Sequence, residues 1–244
     1  MEGSRPTISF NHHLASHSSN TRATLYLNGP INEEIIVQLL DYLTAIFDYY
    51  QYDMVELRIN SPGGKMQATH YLIENLELFK KKGKIISTTA LFTTASAAAL
   101  ILSCGSIGYR SAHPDTLLLY HDTRIYLNGQ IPVTKGYANR ISEMLESKNK
   151  AVTKAITNVI LKKIEYLEKN YTKNIRKKMI GNFKETAINE LALIHKDCLI
   201  DENDLKDYLP TIIENLLDKD QPLTVKQAFN LFLIDKIGFS NHGI

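Results

Sequence analysis

Three short stretches carry residue types that could do chemistry together. Ser96 lies in Thr93-Thr94-Ala95-Ser96-Ala97-Ala98-Ala99, between small side chains at the start of a helix-prone run. A nucleophile needs open space for an incoming carbonyl. A helix start adds favourable electrostatics for developing negative charge, and the next N–H can serve as an oxyanion donor. The same serine would serve equally as a helix cap or a small packing residue. His121 closes the apolar run Leu117-Leu118-Leu119-Tyr120. An imidazole just past a strand end is well placed as a general base, and equally as a half-buried structural histidine. Gly63-Gly64 stands between a strand-like and a helix-like segment. Glycine there lets the backbone turn sharply and bring donor N–H groups close to a ligand, or marks an ordinary turn. His113 precedes a proline, and His70 and His195 lie in helical stretches, so each has a structural reading. His12, His13 and His17 fall among Ser and Asn in residues 1–22, which read as a flexible tail rather than a metal site.

The elements that must position these residues follow from periodicity. Thr24–Leu27 is a short strand ended by Asn28-Gly29-Pro30. Asn32 then caps an amphipathic helix carrying Ile35, Ile36, Leu39, Leu40 and Leu43 and reaching about Tyr50. Met54–Ile59 alternates as a second strand and runs into Asn60-Ser61-Pro62-Gly63-Gly64. A helix with Tyr71, Leu72, Leu76 and Phe79 ends at Lys80-Lys81-Lys82-Gly83, where cations and a glycine suit a C-terminus. Ile85–Thr89 is the third strand, Thr93–Cys104 is helix-prone, and Ile107–Arg110 and Thr116–Tyr120 are short strands. Alternating strands and helices predict an α/β fold with parallel crossovers. From about Val133 the chain is almost purely helical. Residues 133–200 are Lys-rich and amphipathic, with a basic stretch from Lys162 to Lys184, and residues 201–220 swing acidic.

Composition narrows the function classes. The 244 residues carry 28 Lys+Arg against 26 Asp+Glu, so nothing marks a strongly basic nucleic-acid binder. Hydrophobic residues at 44% and charged residues at 22% exclude wholesale disorder. Cys104 and Cys198 make no CxxC spacing or disulfide framework, and a reducing compartment, the cytoplasm, is expected. The N-terminus shows no apolar signal-peptide core, and Ala90–Cys104 is too short and too interrupted to span a bilayer, so no membrane partner is expected. Glu165 and Glu168 interrupt the positives of residues 162–184 at helical spacing. This favours a solvated, internally paired helical face over a nucleic-acid site. No HExxH or other metal-ligand spacing occurs, and neither metal nor cofactor is expected.

Taken together, Ile59-Asn60-Ser61-Pro62-Gly63-Gly64, Ala95-Ser96-Ala97 and Leu119-Tyr120-His121 resemble the proteolytic subunit of the Clp protease and its relatives, serine peptidases on the crotonase-like fold. The family shows an INSPGG strand end, an AASMGA-type nucleophile turn and an MIHQP-type histidine strand. The 25-residue interval from Ser96 to His121 matches its spacing. The segment from Pro222 to Ile237 resembles the family's closing segment, which places Asp220 where the family keeps its triad carboxylate, with Asp218 two residues away as the alternative.

The resemblance implies a ClpP/crotonase-like βαβ superhelical core at residues 23–158 and 218–244, with a helical insertion at 159–217. It implies Ser96 as nucleophile, His121 as general base and Asp220 as its orienting acid. The N–H groups of Gly64 and Ala97 would form the oxyanion hole, and Pro62, Gly63 and Lys65 would contact substrate. It implies a peptide or protein substrate, a homo-oligomer, and an AAA+ unfoldase or other regulatory protein as partner. Two rivals stand beside it: a catalytically silent Clp-like scaffold, and a crotonase-type enzyme acting on an acyl-CoA thioester, which would need neither Ser96 nor His121.

Overall fold

The computed structural model describes residues 7–12, 22–124, 134–190 and 205–238. Cys198, His195 and the histidines at 13 and 17 lie outside them. A seven-stranded sheet organises the molecule, in the order β1 (Thr7–His12), β2 (Arg22–Asn28), β3 (Met54–Ser61), β4 (Ile85–Ala95), β5 (Arg110–Ala112) and β7 (Lys236–Ile237). The short β6 (Leu117–Leu119) pairs with the far end of β4, beyond β5. All pairs are parallel except β1 with β2. Residues 7–12 thus form a strand where the sequence reading expects a flexible tail. Their backbone groups complete the β2 ladder from Thr7 opposite Asn28 to His12 opposite Ala23.

The crossover helices are formed as the periodicity predicts. In α1 (Glu33–Thr44), Asn32 Oδ1 accepts the Ile35 N–H at 2.9 Å, and Ile35, Ile36, Leu39 and Leu43 are buried. A π-helical turn, Ala45–Tyr49, continues it and buries Ile46 and Phe47. In α2 (Met66–Lys81), Leu72, Leu76 and Phe79 complete the same layer. These residues pack with Val55, Leu57 and Ile59 of β3, all fully buried. The short α3 (Ala97–Ser103) is buried at every position.

Two expected boundaries move. Thr93–Ala95 was expected to open a helix but belongs to β4, pairing with Leu117–Leu119. β-Branched threonines suit a pleated strand, and the Thr94 hydroxyl donates to the Ile59 carbonyl at 3.1 Å. The strand expected over Ile107–Arg110 begins only at Arg110, because Ser106–Tyr109 closes a turn through a 3.0 Å backbone bond.

Between β6 and β7 the described residues form four helices: α4 (Lys135–Asn170), α5 (Lys173–Glu190), α6 (Leu205–Asp218) and α7 (Val225–Asn230). Residue 159, where an insertion was expected to begin, lies inside α4 without a break. Val152, Ile156, Ile160, Ile164 and Leu167 form one buried stripe along α4, which packs on α3 and α6. Two lysines of the basic stretch take partners outside it. Lys162 reaches Glu77 on α2 at 3.0 Å, and Lys163 turns inward to Asp235 at 2.6 Å.

Candidate active site

Ser96 sits at the junction of β4 and α3, with φ +57° and ψ −127°. A side chain disfavours that backbone conformation, at a cost of roughly 1–3 kcal/mol, so the surroundings must hold it. They do so from two sides. The Ser96 N–H donates to the Leu119 carbonyl of β6 at 2.7 Å, and its own carbonyl accepts from Ala99 and Leu100 of α3 at 3.0 and 3.2 Å. A sharp strand-to-helix turn of this kind presents a hydroxyl at the end of a sheet.

The glycine turn packs directly on it. Gly63 has φ +94°, and a methyl group there would lie 2.6 Å from Ser96 Cβ and 2.7 Å from the Ala95 carbonyl oxygen. A methyl on Gly64 would lie 2.1 Å from the Ile31 carbonyl oxygen. That contact is close because Ile31 and residues 63–65 pair: Ile31 N–H donates to Gly63 O at 2.8 Å, and Lys65 N–H donates to Ile31 O at 2.9 Å. Only glycine fits either position.

His121 follows Tyr120, whose buried hydroxyl meets the Ser103 hydroxyl of α3 at 2.7 Å and fixes the strand end. The imidazole Nδ1 lies 2.5 Å from the Asp122 carbonyl oxygen. A carbonyl can only accept, so this contact assigns the proton to Nδ1 and leaves Nε2 with the free lone pair. Ser96, Ala97 and His121 share the wall of one cavity of about 520 Å³ with Pro62, Gly63, Gly64 and Lys65.

Asp220 stands apart from that wall. Its carboxylate pairs with Arg124, and both side chains are about half exposed. Its loop is nonetheless bound to the histidine strand on both sides, by Leu223 N–H to Leu118 O at 2.8 Å and Asp122 N–H to Leu217 O at 3.3 Å. Asp122 joins this acidic corner. Burial, and then Asp218, push its carboxyl above the ordinary value. Among the described residues, no group of three or more His, Cys, Asp or Glu is arranged to hold a metal ion.

Residues that the sequence reading did not single out complete the cavity. Arg124, Lys148, Val152, Ile156 and Leu217 all line it. The signal for three of them was present as the spacing of Lys148, Val152 and Ile156 at i, i+4 and i+8, which puts them on one helix face. A second unforeseen feature is the buried set of Arg110, Asp235 and Lys163. Arg110 forks onto both Asp235 oxygens at 2.7 and 2.9 Å, while Gly108 N–H donates to the same carboxylate at 2.7 Å. Burial opposes ionisation of Asp235, but Arg110 and Lys163 outweigh it and hold the carboxyl far below its ordinary value. Burial in turn lowers the Lys163 ammonium despite Asp235 beside it.

Fold and site together define an α/β protein of parallel crossovers, with a strained serine and an imidazole on one cavity at the sheet's end. The model of the Clp protease family matches residues 13–178, more than half of the chain, and the chain belongs to that family. The match includes Gly63, Gly64, Ser96 and His121 and ends before Asp220. An ATP-dependent Clp protease proteolytic subunit of Carsonella ruddii (strain PV) is 28% identical over 106 residues, covering 43% of this chain and 53% of its own length. The chloroplastic subunit 4 of Arabidopsis thaliana is 37% identical over 76 residues, 31% of this chain and 25% of its own. The chloroplastic subunit 6 of the same plant is 23% identical over 126 residues, 52% and 44% of the two chains. The chain thus spans about half or less of the length of these curated relatives. No described helix is long and apolar enough to cross a membrane.

Proposed function

We propose that this chain is a serine endopeptidase acting on peptides or unfolded proteins. The observation that carries it is the Ser96 turn: a hydroxyl held at φ +57° by β6 and α3, with His121 on the same cavity wall. Strain at a residue so thoroughly fixed points to function rather than to capping, and Ser96 makes no side-chain capping bond.

In this mechanism Ser96 Oγ attacks the peptide carbonyl. His121 Nε2 takes the hydroxyl proton and returns it to the leaving amine, and water then resolves the acyl-enzyme by the reverse route. The N–H groups of Gly64 and Ala97 receive the oxyanion. Ala97 opens α3, and the first N–H groups of a helix have no acceptor within it. Pro62, Gly63 and Lys65 line the cavity where substrate would lie. Asp220 acts as the orienting acid once it exchanges Arg124 for the imidazole and takes over from the Asp122 carbonyl the hydrogen bond of Nδ1–H. The backbone bonds between its loop and the histidine strand support that role.

The relatives are named subunits and ATP-dependent, which supports a homo-oligomer and an AAA+ partner for this chain too. A reducing compartment such as the cytoplasm suits a chain with only two cysteines. One observation favours a second reading, a silent scaffold: the Arg124–Asp220 pair occupies the proposed acid. Hydrolysis of an N-capped fluorogenic peptide and of unfolded casein separates the two. The peptidase reading expects turnover by the wild type, lost in Ser96→Ala and His121→Ala. Turnover that survives Ser96→Ala would reject it.

A further inference from the structure

The segment that carries Asp220 runs antiparallel to the end of the histidine strand. Leu223 N–H donates to Leu118 O, and Asp122 N–H donates to Leu217 O, so residues 217–223 lie alongside residues 118–122. Asp220 is the middle of that arc and stands level with Tyr120 and His121. Its φ of +50°, a left-handed conformation that aspartate tolerates, bends the chain at this point. Its carboxylate nonetheless meets Arg124, just past His121, while His121 Nδ1 contacts the Asp122 carbonyl oxygen.

The choice of partner has a physical cause. Burial, then Asp218, Glu214 and Asp220, raise the Asp122 carboxyl, which marks this corner as acidic. Asp220 therefore gains from a cation beside it. A guanidinium is always charged, whereas an imidazole is charged only after it takes a proton, as His121 would when Ser96 attacks. At rest Arg124 wins the carboxylate. The Asp122 carbonyl then holds the imidazole in one tautomer but gives it no negative charge to stabilise an imidazolium.

We propose that Arg124 is an autoinhibitory latch: by holding Asp220 it keeps His121 without its acid, and it opens as dissolved anions screen or replace the carboxylate. This inference rests on the peptidase reading and names a regulation of that same site. Both side chains of the pair are about half exposed, so salt reaches and weakens it. Arg124 also lines the cavity with Lys65 and Lys148, and no Asp or Glu is among the described residues of that wall, so an anion is drawn to the guanidinium from the cavity side. An exposed pair withholds the active form only a few-fold, which makes the resting enzyme slow rather than silent.

The test uses the full chain and follows the rate at which a fluorophosphonate labels Ser96, a reaction that needs no bound peptide. Arg124→Gln, checked for folding by its melting temperature, should take label and cleave an N-capped fluorogenic peptide about fivefold faster than the wild type. Arg124→Lys, which keeps a cation for Asp220, should restore most of the restraint. In the Asp220→Asn background, Arg124→Gln should bring no gain. Raising potassium chloride from about 50 to about 500 mM should speed the wild type toward Arg124→Gln and leave Arg124→Gln itself unmoved.

A wild type that labels and cleaves, with Arg124→Gln no faster, overturns the latch and leaves the peptidase standing. A gain that survives in Asp220→Asn, or a wild-type rate that salt leaves flat, does the same. A folded but slower Arg124→Gln makes the guanidinium part of substrate binding and also overturns the latch. If Arg124→Gln melts early, the salt dependence of the wild type decides alone. Absence of labelling and cleavage in both the wild type and Arg124→Gln overturns the latch and the peptidase reading together.

Discussion

At Ser96, backbone strain and the proposed chemistry meet in one residue, and they can be separated. Ser96→Ala and Ser96→Gly both remove the hydroxyl, but only alanine keeps a Cβ at φ +57°. We predict that Ser96→Gly is the more stable of the two by about 1 kcal/mol in urea denaturation, with neither active. Equal stabilities would mean that the turn stores no strain. Gly63 makes the complementary case. A methyl there meets Ser96 Cβ at 2.6 Å and backbone at 2.7 Å, so Gly63→Ala must displace Ser96, the proposed nucleophile. A displacement of about 1 Å costs on the order of a hundredfold in rate, and peptide hydrolysis should fall by at least that in the folded variant. The roles proposed for Ser96 and His121 were legible in the sequence because residue type, order and spacing agreed. The Arg124–Asp220 pair was not legible, because an ion pair across 96 residues of chain has no local signature.

At the scale of elements, α4 decides how the helical half relates to the sheet. It is one helix from Lys135 to Asn170, and Lys163 joins it to Asp235, just before β7, and Asp235 in turn holds Arg110 of β5. Removing the carboxylate would strand two buried cations, so Asp235→Asn should cost about 3–5 kcal/mol. Lys163→Met should cost much less, since it leaves the Arg110–Asp235 fork intact and removes a cation that burial penalises. The pH dependence has a definite sign. Asp235 is held below its ordinary value when folded, so its stabilisation is complete above the ordinary carboxylate range and is lost progressively as pH falls from that range toward the much lower folded value. The stability gap between wild type and Asp235→Asn should therefore narrow from about pH 5 downward in chemical denaturation. A constant gap would contradict the ion cluster. Most elements were legible from their periodicity and caps, as at Asn32. The end of β4 was not: Thr93–Ala95 sits beside an alanine run that favours helix, and only its β6 partner makes it a strand.

Across the whole molecule, one cavity gathers residues from Ile31, the 62–67 turn, the Ser96 turn, the His121 strand end, α4 and Leu217. No single stretch of sequence contains it, and Lys148, Val152 and Ile156 reach it because α4 packs on α3. The same surface view bears on assembly. Tyr49 and Phe92 are about three-quarters exposed, and Tyr50, Tyr71 and Leu78 about half. We predict that the full chain sediments as a species several times the monomer, and a monomer at micromolar concentration would remove the proposed homo-oligomer. The central claim, that Ser96 is a nucleophile activated by His121, is tested most directly by intact-mass labelling with a serine-directed fluorophosphonate. The account predicts one adduct on the wild type, absent from Ser96→Ala and from His121→Ala. An adduct that persists on Ser96→Ala, or a well-folded wild type that takes none, would contradict it.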